Sequence, residues 1–245
     1  MDITTILNAH SEGALAHFSC LSLNEAVNYA TQKGLKVEVI VIIDNPNEET
    51  IDFFKEQNYS WLSIHFVDYR DLGMSRNHGV NLAKGKYIAF LDADDLWSYN
   101  WIYDAFEYSE KHKSDVICHP EISFYFGNKT HFWPHVSSDS VLFNKWQLAK
   151  SNYWTSLIFV KKSVLLDIAQ SKMDIKAGFG YEDWHWHCET IARGIDHVII
   201  KNTAHFIRSK KDGLLSKTND NNCVLPPTVL FDPDFSSNSN KDLSI

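Results

Sequence analysis

Short apolar runs alternate with longer amphipathic stretches along the first half of the chain. The apolar runs cover residues 3–8, 36–43, 61–67 and 86–91. Their length and β-branched content are typical of strands, whereas the segments 12–33 and 72–85, and one around Thr50, have the pattern of helices. Strands and helices that alternate at this spacing predict a parallel sheet with crossover helices. The run at 36–43 is apolar at nearly every position, which predicts burial on both faces of that sheet.

The second half of the chain has a different pattern. It predicts a strand and hairpin over 114–136 with a turn at 127–128, a strand leading into a helix over 152–165, a helix over 184–193, and one or two strands over 197–208. We therefore predict an α/β fold with a mostly parallel, doubly wound sheet, helices on both faces and a small antiparallel addition. The predicted domain covers residues 1–218, divided near 97 and 98 into two halves, and a polar tail or linker covers 219–245.

Composition and charge narrow the function classes. The 245 residues carry a formal net charge of −8 and have no basic run, which argues against binding to nucleic acid or to an anionic membrane surface. The most apolar run, 37–43, is too short to span a bilayer, and the N-terminus has no signal-peptide pattern. The four cysteines are widely spaced and form no C-x-x-C pair, which favours reduced thiols over a disulfide framework or a zinc site. These features predict a cytoplasmic protein without a transmembrane segment.

Three aspartates follow the predicted strand in the stretch "KYIAFLDADDLW". Two residues apart on an extended segment, Asp92 and Asp94 point to the same side, where they could share a hard divalent cation such as Mg²⁺ or Mn²⁺. Polar residues also follow the strands at 3–8 and 36–43, and in an open α/β sheet such strand ends line one crevice. The alternative is that these aspartates only form a turn and cap a helix.

Three further features could complete this crevice. Arg76 could contact a phosphate, or could simply lie exposed on its helix. Of the pair Glu182-Asp183, one carboxylate could act as a general base among aromatic side chains, or both could complement a helix dipole. Tryptophans there could stack on a sugar or pack in the core. His205 could ligate the cation or be a core histidine.

Four blocks together resemble the inverting, nucleotide-sugar-dependent glycosyltransferases of family 2, which have the GT-A fold. They are "TTILNAHSEG", "VEVIVIIDNPNEET", "DLGMSRNHGVNLAKGKYIAFLDADDLW" and "AGFGYEDWHWHCETIARG", and the resemblance covers residues 3 to 216. It implies that Asp183 is the catalytic base and that Glu182 orients it or holds the acceptor. The residues predicted for the donor are Ala9, His10, Glu12, Asp44, Arg76, Asn77, Asp92, Ala93 and Asp94, and those predicted for the metal are Asp92, Asp94 and His205. The residues predicted for the acceptor, because aromatic rings can stack on a sugar, are Trp154, Tyr181 and Trp184.

The chain departs from the family pattern at two places. Asn8, His10 and Ser11 stand where the first loop usually has Pro and Tyr-Asn. The late block keeps Arg208 and Ser216 but has Lys210 where a histidine is common, so that His205 serves as a substitute third metal ligand.

The resemblance implies a metal-dependent, inverting transfer of a sugar from a nucleotide-diphosphate donor to a hydroxyl of a glycan or lipid-linked glycan, with Mn²⁺ or Mg²⁺ as cofactor. The expected setting is synthesis of a bacterial surface polysaccharide such as lipopolysaccharide, beside other transferase modules at the inner face of the membrane. One alternative is a non-catalytic module that binds a nucleotide sugar or a glycan. Another is a nucleotidyltransferase, which the lack of Lys and Arg over residues 8–16 disfavours.

Overall fold

The computed structural model describes residues 1–57, 59, 63–211 and 213–233. The strands of these residues are β1 (Ile3–Ala9), β2 (Val37–Asp44), β3 (Ile64–Val67), β4 (Tyr87–Asp92), β5 (Leu96–Trp97), β6 (Val116–Gly127), β7 (His131–Pro134), β8 (Phe159–Lys161) and β9 (Asp196–Ser209). The helices are α1 (Ala16–Gln32), α2 (Glu48–Glu56), α3 (Leu72–Leu82), α4 (Trp101–Lys111), α5 (Lys162–Asp167), α6 (Glu182–Ala192) and α7 (Leu214–Asp220).

All these strands belong to one sheet in the order β3-β2-β1-β4-β8-β6-β9-β5, with β7 paired to β6. The first four strands are parallel to one another, and β6 is parallel to β9. The short strand β8 joins these two parts through antiparallel pairs with β4 and β6. The α/β prediction, with a mostly parallel sheet and a small antiparallel addition, is confirmed.

Helices cover both faces of the sheet because its central strands have apolar side chains on both faces. In β2, Val39, Val41 and Ile43 belong to one core cluster, and Ile40 and Ile42 belong to a second on the opposite face. Residues of α1 and α4 join the first cluster, and residues of α3, α5 and α6 join the second. Successive strand residues point to opposite faces, so a strand that is apolar throughout requires this two-sided cover.

The element boundaries differ from the prediction at three places. A 3-10 turn over Gly13–Leu15 precedes α1, which therefore begins at Ala16 rather than residue 12. The third strand covers only Ile64–Val67, and residues 61 and 62 lie outside the described residues. Helix α4 was not predicted, although Trp101, Ile102 and Ala105 form a buried stripe at helical spacing.

Residues 221–231, which the sequence assigned to a tail, pack on the domain. Val224 bridges to Phe179, and Leu230 is buried in a cluster with Leu148, Trp154 and Cys188. The boundary near 219 stays a prediction, but the described chain beyond it adds to the core beside α6. Within the described part of the chain, no helix combines the length and apolarity that crossing a bilayer requires.

Candidate functional site

The carboxyl ends of three neighbouring parallel strands meet at one edge of the sheet. The register pairs Asn8 of β1 with Asp92 of β4 and Ala9 of β1 with Ile43 of β2. The loops that follow these strands carry most of the residues predicted to bind the donor. This is the edge where open α/β sheets bind ligands.

Arg76 is at the centre of this edge. It extends from α3, whose N-terminus is capped by Asp71, and its side chain is fully buried. Its Nη2 donates to both carboxylate oxygens of Asp92 at 2.9 and 3.0 Å and to Ser156 Oγ at 3.0 Å. Its Nη1 lies 3.5 Å from Glu182 Oε1. Arg76 is therefore not an exposed surface arginine, since it joins the Asp92 segment to the distant Glu182-Asp183 pair.

The two acidic residues at the start of α6 have different surroundings. Tyr181 precedes them with a φ of +63°, a left-handed conformation that is uncommon for a bulky residue. Glu182 is 5% exposed, whereas Asp183 is only half-buried. Burial, followed by the charge of Asp183, raises the pKa of Glu182 to about 8, against the opposing effect of Arg76. Burial also raises the pKa of Asp183, against Arg76 and the backbone N–H of Trp184.

An ammonium and a backbone N–H from the end of β9 bind the aspartates that follow β4. The ammonium of Lys210 lies 2.7 Å from Asp94 Oδ2 and 3.4 Å from Glu12 Oε1, and the backbone N–H of Arg208 donates to Asp95 Oδ1 at 2.6 Å. Burial raises the pKa of Asp94, and Lys210 acts against this shift. Burial acts to lower the pKa of Lys210, but Asp94 and Glu12 outweigh it and raise that pKa. Lys210 therefore keeps its proton.

The predicted metal ligands do not form a cation site in this arrangement. His205 is fully buried in the core, with its ring edge-to-face against Trp101 at 4.6 Å between centroids. Asp92 is paired with Arg76, and Asp94 is paired with Lys210. The prediction that His205 completes a coordination sphere with Asp92 and Asp94 is therefore corrected: among the described residues, these three side chains do not come together as ligands of one ion.

A buried histidine cluster lies elsewhere, in the half of the domain built on β6 and β9. His119, His187 and His197 are the one group of three potential metal ligands found among the described residues. His119 Nε2 and His197 Nδ1 are 2.8 Å apart, His197 Nε2 donates to Thr190 Oγ1 at 2.9 Å, and His119 Nδ1 has no partner. Burial lowers the pKa of all three. His119 and His197 are hydrogen-bonded to each other, and the ring of His187 lies edge-to-face against both. The sequence analysis did not predict this neutral histidine network, because its members are far apart in the chain.

Trp154 belongs to this histidine cluster and not to an acceptor face. It is 1% exposed, its ring stacks on His197 at 4.0 Å between centroids, and its Nε1–H donates to the Val136 carbonyl at 2.8 Å. A sugar cannot reach a ring that is buried on all sides. The prediction that Trp154 contacts the acceptor is therefore wrong, because core packing takes its whole surface.

Tyr181 and Trp184 line a groove that the segment 223–232 also lines, and neither Glu182 nor Asp183 is among its lining residues. Their rings meet edge-to-face at 5.5 Å between centroids, and together with Phe231 and Leu225 they line one side of this groove. Trp184 Nε1–H donates to the Leu148 carbonyl at 2.9 Å, which fixes the indole while part of its face stays accessible. Their predicted role with the acceptor stays a prediction.

Two residues predicted to bind the donor have their polar groups occupied by the protein. Asp44 accepts from the backbone N–H groups of residues 69, 70 and 71 and from Ser75 Oγ at 2.7–3.0 Å. Asn77 exchanges two hydrogen bonds with the backbone of Gln170. Both side chains hold the frame around α3, so a direct contact of either with a nucleotide would require these bonds to change.

The remaining donor candidates line the edge through backbone and loop contacts. Ala93 N–H donates to the Asn8 carbonyl at 2.8 Å, and Ala9 is buried at the end of β1. His10 Nδ1–H donates to the Asp44 carbonyl at 2.6 Å, and Glu12 accepts from His10 N–H at 2.5 Å. The loop after β1 is thereby fixed against the loop after β2.

Comparison with known proteins identifies relatives of the chain. The model of the family described as glycosyl transferase family 2 matches residues 17–168. Poly(ribitol-phosphate) beta-N-acetylglucosaminyltransferase TarP of Staphylococcus aureus is 27% identical over 179 residues, which are 70% of this chain and 50% of TarP. The Escherichia coli enzyme UDP-Glc:alpha-D-GlcNAc-diphosphoundecaprenol beta-1,3-glucosyltransferase WfaP is 31% identical over 84 residues, 34% of each protein. The chain thus spans half or less of these curated relatives.

The crystal structure of S. aureus TarS 1-349 in complex with UDP-GlcNAc has a similar fold. It superposes with a TM-score of 0.68 at 15% identity, over 88% of this chain and 61% of the TarS chain. At that identity the likeness concerns the fold alone, and it confirms the predicted GT-A architecture.

Proposed function

The chain belongs to glycosyl transferase family 2 and is a glycosyltransferase; on that premise we propose that it transfers a sugar, with inversion, from a nucleotide-diphosphate donor to a hydroxyl group of a glycan acceptor. One observation carries the proposal: the buried Arg76 contacts both Asp92 and Glu182. The charges of Arg76 and Asp92 also act on Asp183, the residue after Glu182, which supports a place for Asp183 beside the strand ends.

In the proposed reaction Asp183 is the general base. A hydroxyl is a weak nucleophile, so Asp183 takes its proton while the oxygen attacks the anomeric carbon of the donor sugar. One C–O bond forms to the acceptor, and the C–O bond to the diphosphate breaks with its electron pair on the leaving oxygen. A single in-line displacement inverts the configuration. Asp183 suits this role because it is half-buried, whereas Glu182 is almost fully buried and faces Arg76.

The surroundings of Glu182 and Asp183 suit the two residues to different roles. Burial and the charge of Asp183 raise the pKa of Glu182 against the effect of Arg76, so Glu182 gives up its proton less readily than an exposed glutamate does. The raised pKa of Asp183 brings it closer to neutral pH, which improves a general base. Arg76 holds both acidic segments in place and supplies a fixed positive charge beside the developing diphosphate.

The donor and setting follow from the relatives as proposals. The TarS structure was obtained with UDP-GlcNAc, and the name of WfaP specifies UDP-Glc and a diphosphoundecaprenol-linked acceptor. We therefore expect a UDP-sugar as the first donor to test and a surface glycan or lipid-linked glycan as the acceptor. The predicted cytoplasmic location, partner modules and contact with the inner face of the membrane stay predictions, and the predicted divalent cation stays an alternative to the ammonium of Lys210 at Asp94.

The test is a donor screen with wild-type protein and the Asp183→Asn variant. Release of nucleoside diphosphate from UDP-GlcNAc, UDP-Glc and other nucleotide sugars is measured with and without glycan acceptors, and donor affinity is measured by calorimetry. Asp183→Asn should lose about 100-fold or more in turnover because no other group removes the proton, while it binds donor as the wild type does. Asp167→Asn, at the exposed end of α5, is the matched control and should keep full activity.

Three outcomes would contradict the assignment in different ways. Near wild-type turnover by Asp183→Asn would show that another group is the base. Donor binding without turnover under any acceptor would favour a non-catalytic binding module. Formation of a nucleotide sugar from a sugar phosphate and a nucleoside triphosphate would favour a nucleotidyltransferase.

A further inference from the structure

Lys210 occupies the position that the sequence assigned to a divalent cation. Its ammonium contacts two carboxylates that follow neighbouring strands, Asp94 at 2.7 Å and Glu12 at 3.4 Å. Asp94 follows β4, Glu12 belongs to the loop after β1, and Lys210 follows β9. One cationic group thus joins three segments of the chain at the strand edge, as a bound metal ion would.

Hydrogen bonds on both sides of Lys210 anchor its segment of the chain at the strand edge. Its carbonyl accepts from Ser216 Oγ at 3.0 Å, which connects its loop to α7. The residue two positions earlier, Arg208, is anchored through its backbone N–H to Asp95. The side chain of Asp94 is only 11% exposed. A carboxylate so poorly solvated requires a nearby positive charge, and Lys210 supplies it.

Lys210 can also reach a ligand. Its side chain is 36% exposed, so the carboxylates that it contacts do not close Lys210 off from solvent. An ammonium has three N–H donors, and Asp94 and Glu12 account for two of them. The third donor remains for an oxygen of a diphosphate, to which lysine binds as a compact point charge.

We propose that the Lys210 ammonium replaces the divalent cation at Asp94, so that this chain binds the diphosphate of its donor without a metal ion. The inference rests on the proposed function, because it concerns the donor of that reaction. It also agrees with the packing of the other predicted ligands, since Asp92 is paired with Arg76 and His205 lies in the core. A metal at Asp94 would have to displace Lys210 or lie beside its positive charge, which Coulomb repulsion disfavours.

The test measures binding of UDP by calorimetry, with GDP, CDP and dTDP as further probes, in EDTA and in millimolar Mn²⁺. Wild-type affinity should be the same in both buffers. Lys210→Met keeps the length of the side chain but removes its charge, and should weaken binding in EDTA by on the order of 10- to 100-fold, the loss expected for a hydrogen bond to a charged group. Mn²⁺ should restore part of this loss, because the variant leaves Asp94 and Glu12 free to bind the ion.

Two more variants test whether a loss of UDP binding comes from the missing charge of Lys210 or from a loss of structure. Lys210→Arg keeps a cation and should still bind UDP in EDTA. Lys211→Met changes the neighbouring, exposed lysine and should bind as the wild type does. Thermal unfolding of every variant verifies that a loss of binding does not come from a loss of structure.

The possible results distinguish this inference from the proposed function. If the wild type binds a nucleotide only with Mn²⁺, Lys210 does not replace the metal, although the donor site is real. If Lys210→Met binds in EDTA as tightly as the wild type, the ammonium does not contact the diphosphate. If none of the four nucleotides binds in either buffer, the crevice is not a donor site, and the proposed function is wrong together with the role of Lys210.

Discussion

Replacement of His187 should make the stability of the protein less sensitive to acid. His187 is 1% exposed, its Nδ1–H donates to Asn152 Oδ1 at 3.1 Å, and its ring lies edge-to-face against those of Trp154 and His197. A proton added to Nε2 would place a charge inside this cluster. Burial, followed by the repulsion of His135 and Arg76, lowers the pKa of His187 to about 3.

The size of the effect follows from the difference between the folded and unfolded states. The unfolded histidine takes up a proton below its ordinary pKa of 6.5, whereas the folded one stays neutral until about pH 3. The lowered pKa therefore costs no stability well above pH 6.5, and the loss grows as the pH falls from 6.5 toward 3. Between pH 7 and pH 5 the wild type should lose about 2 kcal/mol of unfolding free energy through this one residue.

Other groups shift in the same pH range, so the comparison must be between variants. The raised pKa of Glu182, about 8, has the opposite sign, since its folded form holds a proton that the unfolded form releases. This contribution cancels when His187→Gln is compared with the wild type. Urea unfolding at pH 7, 6 and 5 gives the unfolding free energy of each protein. His17→Gln, on the exposed surface of α1, serves as the control.

The expected result is a gap between wild type and His187→Gln that changes by about 2 kcal/mol from pH 7 to pH 5, with the variant losing less. Lower stability of the variant at pH 7 does not affect this result, because poorer packing of the glutamine lowers stability by the same amount at every pH. If the curves of the two proteins run parallel, His187 titrates alike in both states, and the neutral histidine network does not exist as described.

Two further changes test the frame of the site. Arg76→Met removes the cation that pairs with Asp92 and should cost about 3 kcal/mol or more in urea unfolding, because it leaves the carboxylate of Asp92 unpaired next to the buried Glu182. A loss under about 1 kcal/mol would show that solvent reaches Asp92. Leu230→Ala should cost about 2–5 kcal/mol of unfolding free energy, because Leu230 packs in a buried cluster with Trp154. Val224→Ala is the control, because the Val224 side chain is exposed. An equal, small loss in both variants would mean that residues 221–231 do not pack on the domain.

The fold was predictable because its signals are local and repeat along the chain. The apolar runs of β1, β2 and β4 and the polar segments between them identify the parallel half of the sheet. The other half was harder, because β8 has only three residues and β5 only two. Such strands are defined by their neighbours across the sheet, which no local pattern reveals.

The site was predictable where one segment supplied both the residue and its position. Asp92 and Asp94 at the end of β4, and Glu182 and Asp183 at the start of α6, lie where the pattern predicted. The partners of these residues were not predictable, since Arg76 reaches Glu182 across 106 positions of the chain and sequence gives no distance over such a span. The prediction that Trp154 contacts the acceptor was wrong for a related reason. A tryptophan in a sequence indicates what the side chain can bind, but it does not indicate whether the side chain is buried.

A pair of aspartates two positions apart indicates only that a cation is required, and it leaves the kind of cation open. Asp94 is too buried to stand alone, so a metal ion and an ammonium are both physically adequate partners. The choice depends on a residue more than 100 positions later, at the end of β9. In this chain that residue is Lys210, and its contact with Asp94 argues that metal dependence in such a site must be derived from the side chain opposite the aspartates, and not from the aspartates themselves.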